Sequence, residues 1–143
     1  MKNATIPVQA RIAAAWTSFM FLYAYVDILN FFKPGVLDSI LNGKVWNFDV
    51  SAPLLTVMLI SVAVPSVMVV LSMTLPARAN RITNLVVAAV LVPYTLFNVA
   101  GESLEWAAFY AVSIGVEIAL LLFVVRSAWK WKVPTATPVE AQI

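Results

Sequence analysis

Four long apolar stretches, separated by short polar breaks, leave this chain few ways to fold. They run roughly over residues 11–32, 53–75, 82–99 and 106–129. A helix of about 20 residues crosses the hydrocarbon core of a bilayer. The rest of the composition agrees, because 62% of the 143 residues are hydrophobic and only 11% are charged. A soluble domain carries about a quarter charged residues to cover its surface, so the solvent of this chain is expected to be largely lipid. The fold class expected is all-α, a bundle of four transmembrane helices forming one domain over residues 1–132. The tail 133–143, rich in Pro and Thr, is expected to be disordered.

The breaks carry their own signals. Lys33-Pro34-Gly35 ends the first span, which is too long for a signal-peptide core and is read as retained. Between Val36 and Val50, the positions Val36, Leu37, Ile40 and Leu41 give a one-sided apolar pattern, which fits either a short surface helix or an ordered loop. Pro65 and Pro93 stand inside the second and third spans and predict kinks. Pro76 to Arg81 reads as a loop, and Gly101 to Glu105 as a tight acidic one. Lys2, Arg11, Arg78, Arg81, Arg126, Lys130 and Lys132 gather at one side of the bundle, seven of the nine basic residues. The positive-inside rule then places both termini in the cytoplasm, an N-in/C-in topology in a cell's inner membrane. Trp129 and Trp131 form an interfacial belt on that side, with Trp46 and Trp106 on the other.

The chain has no cysteine and no histidine. Disulfides, thiolate nucleophiles, Cys/His zinc sites and histidine-ligated haem are excluded. No cofactor and no metal are expected, and the few basic residues at helix ends argue against nucleic-acid binding. Proton chemistry is left to Asp, Glu, Tyr, Lys or water. In the first span Trp16, Tyr23, Asp27 and Asn30 share one helix face. In the fourth, Trp106, Tyr110, Ser113 and Glu117 make a matching stripe, in the third Tyr94 and Asn98 lie four apart, and in the second Thr56 and Ser61 are the expected polar contributors, with no sharp pattern. Glu117 falls about 16 Å into its span at 1.5 Å per residue. A charge at the bilayer centre costs roughly 2.5–3.5 kcal/mol even on lenient scales. Tyr23, Asp27, Asn30, Tyr94, Asn98, Tyr110, Ser113 and Glu117 are therefore expected to line a cavity in the outer half, opening outward or sideways. Asp27 and Glu117 are the candidates for catalytic groups. Glu102 and Glu105 are expected to be solvated loop residues, and Arg78 and Arg81 to anchor lipid headgroups.

Three segments carry a resemblance. They are Leu22-Tyr23-Ala24-Tyr25-Val26-Asp27-Ile28-Leu29 with Pro34-Gly35, then Arg78-Ala79-Asn80-Arg81 with Asn84, then Glu117-Ile118 with Ala128-Trp129-Lys130-Trp131. Over about residues 12–132 the chain resembles an uncharacterised bacterial family of small four-helix membrane proteins, catalogued as a domain of unknown function. The resemblance implies the four-helix topology and supplies no activity. Tyr25 is an insertion relative to that family's pattern.

The residues favour one reading and leave three others open. The favoured one is binding of a small lipophilic molecule in an aromatic pocket with a few polar groups. The second is a membrane-embedded acid/base enzyme of isomerase or cyclase type on an apolar substrate. The third is a small proton-coupled transporter. The plainest is a partner in a larger complex or a homo-oligomer, through small residues such as Ala107, Ala108, Ala111 and Gly115. Membrane lipids are partners in every case.

Overall fold

The computed structural model of the protein describes residues 5–132. Four helices carry the apolar stretches: α1 (Val8–Asn30), α3 (Ala52–Thr74), α4 (Ala77–Phe97) and α5 (Ala107–Trp129). All four, α5 together with its leading 3₁₀ turn Leu104–Trp106, are long and apolar enough to cross a membrane. The chain is a predominantly helical membrane protein. Between α1 and α3 lie a short helix α2 (Val36–Leu41) and a small antiparallel hairpin of β1 (Lys44–Val45) and β2 (Phe48–Asp49). The hairpin was not expected from the sequence. Lys44 pairs with Asp49 across it, and Trp46 takes a positive φ of 52° in its two-residue turn. The tail 133–143 lies outside the described residues.

The third span begins earlier than its hydropathy suggested. Helix α4 starts at Ala77, not near residue 82, so the expected Pro76–Arg81 loop shrinks to a turn at Leu75-Pro76. Proline is tolerated at a helix entrance, where its missing N–H is no loss. Hydropathy marks where a helix meets lipid rather than where it starts. Asn80 is fully buried inside the protein and needs no lipid. Prolines 65 and 93 do not break their helices, which run through them.

Helices α4 and α5 are zipped along their length. The buried positions are Asn80, Asn84, Ala88, Leu91 and Thr95 on one, and Ser113, Glu117, Leu121, Val124 and Ala128 on the other. Both sets step by four or three, the spacing of a continuous helix–helix seam. Helix α1 packs against α3 and α5, whereas α3 and α4 barely meet. Buried residues on α1 stop at Phe19, and those on α3 begin only at Pro65. The apolar core of Ile12, Trp16, Phe19, Met68, Leu121 and Val124 thus occupies the half of the bundle that carries both described ends. Toward the opposite end, which carries the α2–hairpin segment, packing loosens along the α3–α4 side.

Candidate functional site

A network of amides locks the tight half. The Trp16 indole N–H donates to Asn84 Oδ1 at 2.6 Å, and the Ser72 hydroxyl donates to the same oxygen at 3.2 Å. The Asn84 amide donates to Asn80 Oδ1 at 2.6 Å and to its carbonyl at 2.9 Å; Asn80 in turn donates to the Ser72 carbonyl at 2.7 Å. Helices α1, α3 and α4 are tied together there, and every one of these side chains is fully buried. Such a satisfied network fixes helix register.

A second cluster closes the opposite end. Lys33, just past α1, donates to Glu102 Oε2 at 2.7 Å and to the Tyr110 hydroxyl at 2.9 Å. That hydroxyl lies 3.3 Å from Asn30 Oδ1, to which it donates. The Lys33 ammonium also sits 4.9 Å from the Tyr110 ring centre and 5.4 Å from that of Trp106, both cation–π distances. Burial alone would lower the Lys33 pKa, but the Glu102 carboxylate and Tyr110 hydroxyl outweigh it and raise the pKa above its ordinary value. Glu102, expected to be a solvated loop residue, is instead committed to this latch.

Between the two lies the mid-bundle group. Tyr23 from α1 reaches diagonally across the bundle and donates to the Tyr94 hydroxyl of α4 at 3.3 Å. Ser61 of α3 stands beside Tyr23, its own proton donated to the Met58 carbonyl at 2.6 Å. Pro65 has no N–H, so the Ser61 carbonyl lacks its helical donor. Glu117, only 4% exposed, sits on the α4–α5 seam beside Thr95. Thr95 Oγ1 is buried and close to that carboxyl, yet it makes no hydrogen bond of standard geometry among the described residues. Asp27 lies within Coulombic reach of both Tyr23 and Glu117.

The loose α3–α4 side opens a lateral groove of about 240 Å³. Ser61 and Val64 form one wall; Val86, Val87, Val90, Leu91 and Tyr94 form the other. From Val86 to Tyr94 it extends about 12 Å at the helical rise. Its surface is almost wholly apolar, and Ser61 and Tyr94 contribute almost no polar surface to it.

Of the eight residues expected to share a cavity, Tyr94 alone lines the groove, and Tyr23 is hydrogen-bonded to it. Asn30 and Tyr110 belong to the Lys33 latch instead. Ser113 is buried, but its hydroxyl bonds the Tyr110 carbonyl of its own helix. Asn98 caps the end of α4, apart from the group. Asp27 is also a correction to the interior placement, because it is exposed. It falls one residue past Val26 on the half-buried Tyr23–Val26–Asn30 face, so it lies at the edge of the interface. Ser61, expected as a polar contributor of the second span, stands beside Tyr23, and Thr95 joins the group unannounced by sequence. No three acidic side chains gather closely enough to hold a metal among the described residues.

Comparison with known proteins gives one result. A family model described as a family of unknown function, DUF6326, matches residues 8–137. No curated protein and no solved structure matches the chain.

Proposed function

We propose a function for a chain that belongs to the family of unknown function DUF6326: it binds a small lipophilic molecule that enters sideways from the bilayer. The apolar body lies in the α3–α4 groove, and its polar end meets the Tyr23–Tyr94 hydroxyls. The protein sits in the inner membrane with both termini cytoplasmic, so the groove opens toward the outer leaflet. The observation that carries this reading is the groove itself. Of the neighbouring helix pairs, α3 and α4 alone fail to close, and they do so where a phenol pair and Ser61 stand. A mostly apolar recess with a few fixed polar groups is the usual composition of a ligand site.

One observation favours a second reading as an acid/base enzyme. Asp27 is exposed and Glu117 buried, and two carboxyls in unlike environments suit unlike proton-transfer roles. A single experiment separates the two. The protein is purified in mild detergent beside its Tyr94→Phe and Glu117→Gln variants, and the co-purifying molecules are identified by mass spectrometry. A defined small molecule held by the parent and depleted in Tyr94→Phe supports binding. A different molecule accumulating in Glu117→Gln, related to the first by proton shift or cyclisation, favours the enzyme. Bulk phospholipid alone in all three samples contradicts both.

A further inference from the structure

The end of the bundle that carries both described ends of the chain holds charge of one sign. Arg11, Arg78, Arg81, Arg126, Lys130 and Lys132 stand there, and none of the acids among the described residues does. Both ion pairs among the described residues, Lys33–Glu102 and Lys44–Asp49, lie at the opposite end. Arg11 has its guanidinium 5.6 Å from the centre of the Phe123 ring.

Two of these cations share a recess with apolar side chains. It runs along one face of α5, holds about 330 Å³, and is lined by Leu122, Val125, Arg126, Trp129 and Lys130. Steps of three and four residues put all five on the same face. From Leu122 to Lys130 the recess covers about 12 Å at the helical rise. Its chemistry changes in order along that length. Leu122 and Val125 stand deeper in the span, Arg126 and Lys130 stand one turn apart at its end, and Trp129 lies between them in sequence. Trp129 is 68% exposed, so its ring faces out of the bundle, where an interfacial tryptophan meets lipid.

Like charges four apart on a helix repel. An anion between Arg126 and Lys130 replaces that repulsion with two attractions. Cations in a last turn also complement the helix dipole, but that task needs neither the recess nor the apolar side chains below it. Basic pockets beside membrane helices hold anionic headgroups, and guanidinium matches phosphate geometry.

We infer that this recess is a binding site for one anionic phospholipid of the leaflet at this end. The phosphate lies between Arg126 and Lys130, the glycerol and ester region against Trp129, and the start of an acyl chain on Leu122 and Val125. The site is separate from the α3–α4 groove and stands whether or not that groove is occupied.

The test reconstitutes the full chain in nanodiscs of phosphatidylcholine with a minor fraction of phosphatidylglycerol and counts the lipids it retains by native mass spectrometry. The parent should retain one phosphatidylglycerol in preference to phosphatidylcholine, and an Arg126→Gln, Lys130→Gln double variant should lose it about tenfold or more. An Arg78→Gln, Arg81→Gln double variant removes the same charge from the same end and should keep it. Equal loss in the two double variants, or no preference between the lipids in the parent, overturns the site. A second measurement uses the parent alone, so a variant that fails to fold does not decide the outcome. Phosphatidylglycerol bearing a diazirine beside its ester groups should label Leu122 to Lys130, and excess unlabelled phosphatidylglycerol should block the labelling where phosphatidylcholine and soluble glycerol phosphate do not. Labelling spread alike over the basic ends of α4 and α5, or block by glycerol phosphate, overturns the inference.

Discussion

Lys33 and Glu102 show how a loop residue acquires a structural task. The side chains are 11% and 17% exposed, between a surface pair and a buried one. Glu102→Gln should cost about 1–2 kcal/mol, between the values usual for those two settings, read as a lower thermal midpoint in detergent. The folded chain holds the Lys33 proton more tightly than the unfolded chain. The latch therefore contributes fully at pH values below the ordinary lysine pKa of 10.5 and is lost as pH rises through the raised folded value. The difference between parent and Glu102→Gln should stay constant from neutral pH to about 9 and shrink in strong alkali. Asn84 and Thr95 make a contrasting pair. Asn84→Ala strands the Trp16, Ser72 and Asn80 partners and should cost about 2–4 kcal/mol, since each stranded buried group costs about 1–3 kcal/mol. Thr95→Val removes a buried hydroxyl that makes no hydrogen bond of standard geometry among the described residues, so its thermal midpoint should match or exceed the parent's. Asp27 and Glu117 were legible in the sequence because an acid in an apolar run is conspicuous. Thr95 was not, and Ser61 was legible only as one of two expected polar contributors of its span. A Ser or Thr in a membrane helix bonds its own backbone so often that its presence says little. Asn80 was hidden for another reason, since it stands between Arg78 and Arg81 in a stretch that reads as loop.

At the scale of elements, the four spans were readable from apolar length alone, whereas their pairing was not. Two features of the seam explain this. The α4–α5 contact uses Asn80, Asn84, Thr95, Ser113 and Glu117 as well as apolar residues, so apolar periodicity does not mark it. Lipid-facing positions are as apolar as buried ones: α3 buries only Pro65, Met68 and Ser72 of its 23 residues. The start of α4 was misplaced for the related reason that polar residues buried in protein look like loop. Gly115 offers an element-scale check. It sits inside α5, exposed, and a Cβ added there would meet nothing within 4 Å. Gly115→Ala should therefore stabilise the protein by about 0.5–1 kcal/mol, the helix-propensity difference. A lower thermal midpoint would mean instead that this face of α5 packs against a second molecule.

At the scale of the molecule, the bundle is asymmetric along its axis: an amide-locked, apolar half and a looser half with the acids, phenols and groove. The proposed orientation rests on the charge distribution. The natural absence of cysteine makes it simple to measure. A cysteine at Asn47, in the hairpin turn, should react with a membrane-impermeant maleimide on intact cells. One at Ala79, near the start of α4, should react only after permeabilisation; the reverse pattern would invert the topology. The positive-inside count was fully legible in sequence. The side on which the bundle opens was not, because it depends on which helices fail to meet. The central claim is that this opening, between α3 and α4, is where a lipophilic molecule sits. Its most direct test is to photolyse a diazirine-bearing long-chain alcohol in membranes containing the protein and map the labelled residues by peptide mass spectrometry. The account predicts labelling concentrated at Ser61–Val64 and Val86–Tyr94, saturable with excess unlabelled alcohol and abolished by the groove-filling Val90→Trp. Labelling spread evenly over the lipid-facing sides of all four helices, and unchanged in Val90→Trp, would contradict it.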